Sequence, residues 1–332
     1  MLNLKGIAEE LGLSVSPVSR AINNTGRISE ETRKKVLEAA KRYNYIPNDI
    51  ARSLRSKSGN SVGIIASDMI NSFYANVIKG AQSVLRENGF TLFVCNSDED
   101  TQLEQEALET LLSKQICGLI LASVGEDSES IRQLIKLGTP VVLIDNIPDD
   151  LEGFDSVSID NINAAIKLTD QLIEHGYQKI GMISGPMSQS TGHDRYLGFK
   201  IAMGKAGLPM REDWVVKGDF KKPSGRQAMR RLLSLDAPPE AIVVANNYMA
   251  YGAIGVLKEK GLAVPGDMAV VAFDAIDDTG LISPKITSMN QDPLEIGIQA
   301  ATILLDKINN GQSKKIYRNL ILKPSLYDGE SW

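Results

Sequence analysis

Two sets of residues in this 332-residue chain have the types and spacing for molecular recognition. The first lies in residues 14–24, SVSPVSRAINN. Read as a helix, this stretch exposes Val15, Ser16, Pro17 and Ser19 near its start, with Arg20 one turn in. The N-terminal residues of a recognition helix meet base edges, and an arginine there can grip guanine O6 and N7 with both arms of its guanidinium. A lone arginine would otherwise read as a solvated charge; its place on this helix favours base contact. Pro17 is compatible with such a helix, because the first amides of a helix have no partner inside it. With Ser16 as cap, Pro17 is the first helical residue; with Ser14 as cap, it is the third, a less ideal place.

The second set is scattered along the chain and shares a rhythm. Apolar runs close on polar or aromatic residues: VVLI on Asp145, MISG on SQSTGHDRYLGF with Arg195, VVKGD on Phe220, IVVA on Asn246 and Asn247, and VVAF on Asp274. Carboxylates and amides pair with neighbouring hydroxyls, arginine donates through a planar fork, and an aromatic ring covers the apolar face of a sugar. Each residue alone would serve equally well as a turn or cap. The common position at the end of an apolar run is what makes them a set.

The elements that must hold these residues follow from periodicity. LKGIAEEL puts Leu4, Ile7, Ala8 and Leu11 on one helical face, with Asn3 placed to cap it and Gly12 to stop it. The next helix begins within four residues, so two short helices meet at a tight turn, a helix-turn-helix pattern. SEETRKKVLEAAKRYNY, residues 29–45, is a third helix capped by Ser29 that offers Val36, Leu37, Ala40 and Tyr43 for packing. From Ser61 the rhythm changes. VGIIAS, a helix from Phe73 to Asn88, FTLFVCNS, a helix from Leu103 to Lys114, GLILAS and PVVLIDN alternate. The pattern restarts near residue 155 with KIGMISG, DWVVKGD, AIVVANN and MAVVAFD. Short apolar runs between helices mean parallel strands covered on both faces. Two such units in succession predict two similar α/β lobes, with ligand bound beyond the carboxyl ends of the strands.

Charge separates the head from the rest. Residues 1–59 carry 11 Lys/Arg against 6 Asp/Glu, whereas the remainder carries 25 against 35. A basic head on an acidic body suits a phosphate-contacting domain, although charge alone does not decide it. No apolar run reaches the roughly 18 residues of a membrane span, and MLNLKGIAEE has no basic segment ahead of a long apolar core, so no secretory signal is expected. Cys95 and Cys117 show no CxxC spacing and read as reduced thiols. Only His175 and His193 are present, and no Ser-His-Asp elbow, HExxH, Walker loop or GxGxxG appears. His175, in EHGYQK, reads as a helix-end residue facing the dipole. The acids at 98–100 and 149–150 read as solvated loop residues. No enzyme, cofactor or metal site is expected.

LKGIAEELGLSVSPVSRAINN followed by ISEETRKKVLEAAKRYNYIPNDIARSLRSK resembles the LacI/GalR family of bacterial transcription repressors. The resemblance continues through CGLIL, VVLID, HGYQKIGMISGP, DRYLGF, VANNYMAYGAIGVLKEKGLAVPGDMAVVAFD and ITSMNQD. Departures are Gly6 in place of an acidic residue and Pro17 in place of a small residue or threonine before VSR. The resemblance implies a helix-turn-helix head over residues 1–46, a hinge helix and linker over 47–60, and a periplasmic-binding-protein-like body over 61–332. It divides the body into a first lobe of about 61–158 plus 291–319 and a second of about 159–290 plus 320–332.

By the same resemblance, Asn23 joins the DNA-contacting residues of the head. Asn48, Ala51, Arg52 and Leu54 belong to a hinge helix that orders in the minor groove, with Leu54 as a wedge that opens a base step. A segment of this length is marginal as an isolated helix, and a plain tether remains the other reading. Ser72, Phe73, Tyr74 and Gln291 join Asp145, Arg195, Phe220, Asn246 and Asp274 as effector contacts. The expected protein is a cytoplasmic, nucleoid-associated homodimer on double-stranded operator DNA, without membrane association. It lacks a leucine-heptad tail for tetramers. Its expected role is a repressor of carbohydrate-utilisation genes controlled by a sugar or sugar derivative. A purine effector, a phosphoprotein corepressor and, further off, a sugar transport protein remain open.

Overall fold

The protein is described by a computed structural model covering residues 4–22, 26–43, 45, 60–125, 129–148, 150–276, 280, 282–310 and 316–332. The chain divides into two compact units, Met1–Gly59 and Asn60–Trp332. In the first, α1 spans Leu4–Glu10, α2 Val15–Ile22 and α3 Glu30–Arg42. Ser29 caps α3 by accepting the Thr32 amide at 3.2 Å. Ile7, Ala8, Val18, Ala21, Val36 and Ala39 close a small core. Leu37 was expected in that core but is 47% exposed, and Ala39 takes the inward place. The reason is helical geometry: Val36 and Ala39, three residues apart, share a face, while Leu37 is turned about 100° away. Because α2 starts at Val15, Pro17 is its third residue, still within the first turn whose amides lack helical partners.

The second unit contains two six-stranded sheets. The first half supplies β1 (Ser61–Ala66), α4 (Ser72–Glu87), β2 (Thr91–Asn96), α5 (Thr101–Ser113), β3 (Gly118–Leu121), α6 (Glu129–Lys136), β4 (Val141–Ile144) and β5 (Asp155–Ile159). The second half supplies α7 (Asn161–Glu174), β6 (Ile180–Ser184), α8 (Ser190–Lys205), β7 (Val215–Lys217), α9 (Lys222–Leu233), β8 (Ala241–Val244), α10 (Asn247–Glu259), β9 (Ala269–Phe273) and β10 (Thr287–Asn290). The chain ends with α11 (Pro293–Asn310), β11 (Asn319–Leu322) and β12 (Ser325–Tyr327).

The sheet orders are β11-β5-β4-β3-β1-β2 and β12-β10-β9-β8-β6-β7, so the two lobes repeat one topology. All pairings are parallel except β10 with β12. The strands β1, β3, β4, β6, β8 and β9 are buried along nearly their whole length, as sheets covered by helices on both faces require.

The lobes exchange chain three times, after β5, after β10 and between β11 and β12. The last crossing differs from the expected boundary at 319/320, because Asn319–Leu322 pairs with Ser156–Ile159 of the first lobe. NLIL alternates between exposed and half-buried positions and gives no sequence cue to which sheet it joins. α11 returns to the first lobe and crosses α4 at very close range. A Cβ on Gly80 would lie 2.1 Å from the Leu294 carbonyl oxygen, and one on Gly297 would lie 2.0 Å from that of Val77.

Candidate functional site

In the head, Val18 and Ala21 point into the core, which turns Val15, Ser16 and Arg20 to solvent and leaves Pro17 and Ser19 half-buried. The Arg20 side chain lies along Gly26, whose added Cβ would stand 3.3 Å from Arg20 Cδ. Asn23, Asn48, Ala51, Arg52 and Leu54, and with them the hinge segment, lie outside the described residues.

In the body, the strand ends converge on a narrow cavity of about 40 Å³ between the two lobes. Phe73, Tyr74, Asp145, Arg195, Phe220, Asn246, Asp274 and Gln291 all line it. Ser72 does not; its place is an adjoining pocket of about 240 Å³ that shares Phe73, Asp274 and Gln291 with the first. The cavity also takes in Asn247, which stands beside Asn246 at its strand end, together with Asp68, Asn71, Glu99, Gln189 and Thr191, which the sequence does not single out. Glu99 is the clearest correction: the sequence reads it as a solvated loop acid, and the fold places it in the cavity lining. A chain-level signal exists for Asn71 and Gln189, both of which precede helices at strand ends, and for Asp68, which directly follows the run VGIIAS; Glu99, one acid in the loop DED, gives none.

The backbone explains why these residues project as they do. Asp145 and Asp274 follow equivalent strands, β4 and β9, and both adopt left-handed φ, 60° and 54°. Their amides donate to Val157 O at 3.2 Å and Met289 O at 3.0 Å, one strand over in each lobe. Aspartate tolerates this conformation better than most residues. Phe220, at φ 66°, is a costlier case and holds its ring over Gly185, where a Cβ would come within 2.2 Å of Phe220 Cζ. The Phe220 carbonyl is held by Asn246 Nδ2 at 2.7 Å, while Asn246 Oδ1 accepts the Met249 amide at 3.0 Å and so caps α10.

The polar chemistry is concentrated around two carboxylates. Tyr74 Oη donates to Asp145 Oδ2 at 2.9 Å and accepts from Ser67 Oγ at 2.6 Å. Burial, with the Asp145 charge behind it, holds the Tyr74 hydroxyl protonated well above its ordinary range. Gln291 donates to both oxygens of Asp274, its amide to Oδ1 at 2.8 Å and Nε2 to Oδ2 at 2.9 Å. Burial raises the Asp274 pKa, opposed by the Arg195 charge and the two Gln291 bonds. Arg195 stacks on the Phe273 ring at 4.2 Å and donates Nε to Asn161 Oδ1 at 2.8 Å and one Nη to the Ala245 carbonyl at 2.7 Å. Its other Nη, and Gln291 Oε1, are buried with no hydrogen-bond partner in the protein.

Across the cleft the lobes touch through matched polar pairs. Asn71 and Asn247 exchange two amide bonds of 3.0 Å, Tyr248 Oη donates to the Ile70 carbonyl at 2.5 Å, and Gln189 Nε2 donates to Glu99 Oε2 at 2.8 Å. Lys221 reaches Asp98 at 3.2 Å, and Asn146 Oδ1 accepts the Ser190 amide at 2.6 Å. His193, next to Asp194, is exposed and not in the cavity, and His175 caps α7 while stacking on Trp332. Among the described residues no cluster of three His, Cys, Asp or Glu is placed to hold a metal ion, and no helix is long and apolar enough to cross a membrane.

Known proteins match both units. Residues 3–48 match the family described as "Bacterial regulatory proteins, lacI family", and residues 59–324 match "Periplasmic binding proteins and sugar binding domain of LacI family". The chain is 31% identical over 331 residues to the HTH-type transcriptional repressor PurR of Pasteurella multocida (strain Pm70), covering 98% of this chain and 99% of that protein. The transcriptional regulator CelR in complex with cellobiose superimposes with a TM-score of 0.75 at 29% identity, over 100% of both chains. The lac repressor dimer bound to operator and the anti-inducer ONPF superimposes with a TM-score of 0.85 at 25% identity, over 99% of this chain and 98% of the other.

Proposed function

The chain belongs to the LacI family of bacterial regulatory proteins and is a DNA-binding transcription repressor, not an enzyme; from that premise we propose that a neutral sugar, bound between the two lobes, controls it. One observation carries the effector assignment. One Nη of Arg195 and Gln291 Oε1 are buried without a partner in the protein, and both residues line the cavity that also holds Asp145, Asn246 and Asp274. Leaving a buried donor and acceptor unmet costs roughly 1–3 kcal/mol each, and a polyol supplies both an oxygen and a hydroxyl donor within a small volume. Phe220 and Phe73 give the apolar faces that such a ring needs.

The charge of the cavity narrows the class further. Asp68, Glu99, Asp145 and Asp274 face one guanidinium, so a phosphate or carboxylate on the ligand would meet more repulsion than attraction. A sugar acid or sugar phosphate is therefore disfavoured against a neutral sugar. A purine is the second reading, favoured by the aromatic side chains Phe73, Tyr74 and Phe220 around the cavity.

Regulation then follows as a population shift. An effector with differential affinity for one lobe arrangement biases the DNA-competent form of a homodimer that reads a roughly palindromic operator. Val15, Ser16, Pro17, Ser19 and Arg20, with Asn23, are assigned to base and backbone contact. Asn48, Ala51, Arg52 and Leu54 are assigned to the minor groove. Leu54→Ala should reduce operator bending, and unchanged bending would leave the segment a tether.

The effector assignment is tested by thermal unfolding of the full chain against neutral sugars, sugar acids, sugar phosphates and purines. A ligand at one hundred times its Kd stabilises by about 2.7 kcal/mol. Stabilisation by a neutral sugar supports the assignment. Stabilisation by a purine alone transfers the site to the second reading, and a blank panel removes the small-molecule assignment in favour of a protein corepressor.

A further inference from the structure

Asn71, Asp100, Asp160 and Asn246 each precede a helix of the body and accept an amide of its first turn. α9 has no such bond, but it carries a proline in its first two positions, which removes an amide in need of an acceptor. α8 is different. Gln189 stands at its cap position and makes no side-chain bond to the helix; its carboxamide crosses the cleft to Glu99 Oε2 at 2.8 Å. The acceptor that α8 lacks locally comes from the first lobe. Asn146 Oδ1, directly after Asp145, accepts the Ser190 amide at 2.6 Å and the Ser190 hydroxyl at 2.9 Å. Ser190 Oγ accepts the Ile147 amide at 2.9 Å in return.

Asn146 is held firmly for this task. It is buried, and its Nδ2 donates to the Ser123 carbonyl at 2.6 Å. The Ser123 loop is fixed in turn by Glu104 on α5, a buried carboxylate that accepts the Ser123 hydroxyl at 3.1 Å and the Val124 amide at 2.7 Å. The loops after β3 and β4 are thus braced to present one acceptor to the second lobe. The helix that receives it matters, because α8 carries Arg195, and Gln189 and Thr191 on either side of Ser190 line the cavity with it. A helix start whose amides find no acceptor frays.

We propose that Asn146 is a positioning residue that caps α8 from across the cleft, so the helix carrying Arg195 has an ordered start only while the two lobes are closed on each other. The inference rests on the reading of the cavity as the effector site. A ligand that holds the lobes together completes the start of α8, and a completed α8 presents Thr191 and Arg195 to that ligand. Each event favours the other, as linkage requires.

The test needs no effector. The full chain is transferred to deuterium oxide, and exchange at single amides is read by mass spectrometry with electron-transfer fragmentation. The Ser190 amide, first in its helix, has no carbonyl one turn back in α8 to bond, so its protection measures the bond to Asn146. Asn146→Ala should lower that protection at least about fivefold, the weight of one helix cap, and leave the amides of α10 at their parent rates. Asn146→Asp keeps an oxygen for the Ser190 amide and gives up the Ser123 bond, so protection should stay near that of the parent. Asn247→Ala, whose side chain bonds Asn71 and Tyr248, loosens the opposite rim and should expose the Ser190 amide as well. Protection unchanged in Asn146→Ala, or lost equally in Asn146→Asp, overturns the cap. Protection that survives Asn247→Ala overturns its dependence on closure. Because no ligand is present, every result leaves the neutral-sugar assignment to be judged by its own panel.

Discussion

Asn71 of the first lobe and Asn247 of the second exchange two hydrogen bonds of 3.0 Å, each carboxamide giving its Nδ2 to the other's Oδ1. Both side chains are buried, and each has a second task. Asn71 Oδ1 caps α4 by accepting the Phe73 amide at 3.1 Å, and Asn247 Oδ1 accepts the Tyr248 amide at 2.8 Å. The start of one helix in each lobe is thereby tied to the other. Asn247→Ala removes both cross-cleft bonds and leaves Asn71 Nδ2 without its partner, a cost of about 1–3 kcal/mol charged to the closed form. Effector affinity, read by calorimetry, should fall at least about fivefold with the far-ultraviolet spectrum unchanged. Undiminished affinity would mean that the pair does not hold the cleft.

Arg195→Lys keeps the positive charge beside Asp274 but loses the stack on Phe273 and the planar donor fork. The variant should lose effector response while binding operator with affinity close to that of the parent. Electrophoretic mobility shift with and without effector reads both at once. A variant that still responds at the same effector concentration would displace Arg195 from the site.

Arg20→Ala should cost about 1–3 kcal/mol of discrimination between operator and scrambled DNA, the value of one bidentate guanine contact. Its fold should persist, since Arg20 is exposed and the head core lies on the opposite face of α2. Fluorescence anisotropy on the two duplexes measures the ratio. Equal loss on both would reassign Arg20 to a phosphate contact.

Gly185→Ala should expel the Phe220 ring from the cleft, because the new methyl would come within 2.2 Å of Phe220 Cζ. The obstructed group is a side chain at the cavity edge, so stability should change little while effector affinity falls. If instead affinity holds and the melting temperature drops, the ring is structural.

Gly80→Ala meets the Leu294 carbonyl at 2.1 Å, a backbone atom that cannot step aside. Overpacking of this kind costs about 1–3 kcal/mol or more, which lowers the melting temperature by roughly 2–4 °C per kcal/mol in a domain of this size. Calorimetry checks it, and a neutral effect would show that α4 and α11 can separate freely.

Much of this protein was legible in its sequence, for reasons that are local. The 3.6-residue rhythm of LKGIAEEL and the buried runs VVLI and VVAF specify helix and strand because periodicity is a property of neighbouring residues. The strand ends named a cavity in advance, since a parallel sheet delivers its carboxyl ends to one edge and chain order alone says which residues those are. Ser29 announced its helix by a cap that spans three residues.

What the tertiary structure decided is everything that depends on distance across the fold. Leu37 is exposed and Ala39 buried because the face of α3 that carries Val36 and Ala39 is the one packed against the rest of the head core. NLIL pairs in parallel with β5 of the first sheet, a partner 163 positions away that no pattern within four residues can express. Glu99 is written in the sequence as one acid among DED, and only the approach of Gln189, ninety positions away, makes it part of a site. Desolvation and charge are collective: a carboxyl acquires its pKa from the groups that fold around it, and the chain order does not carry that information.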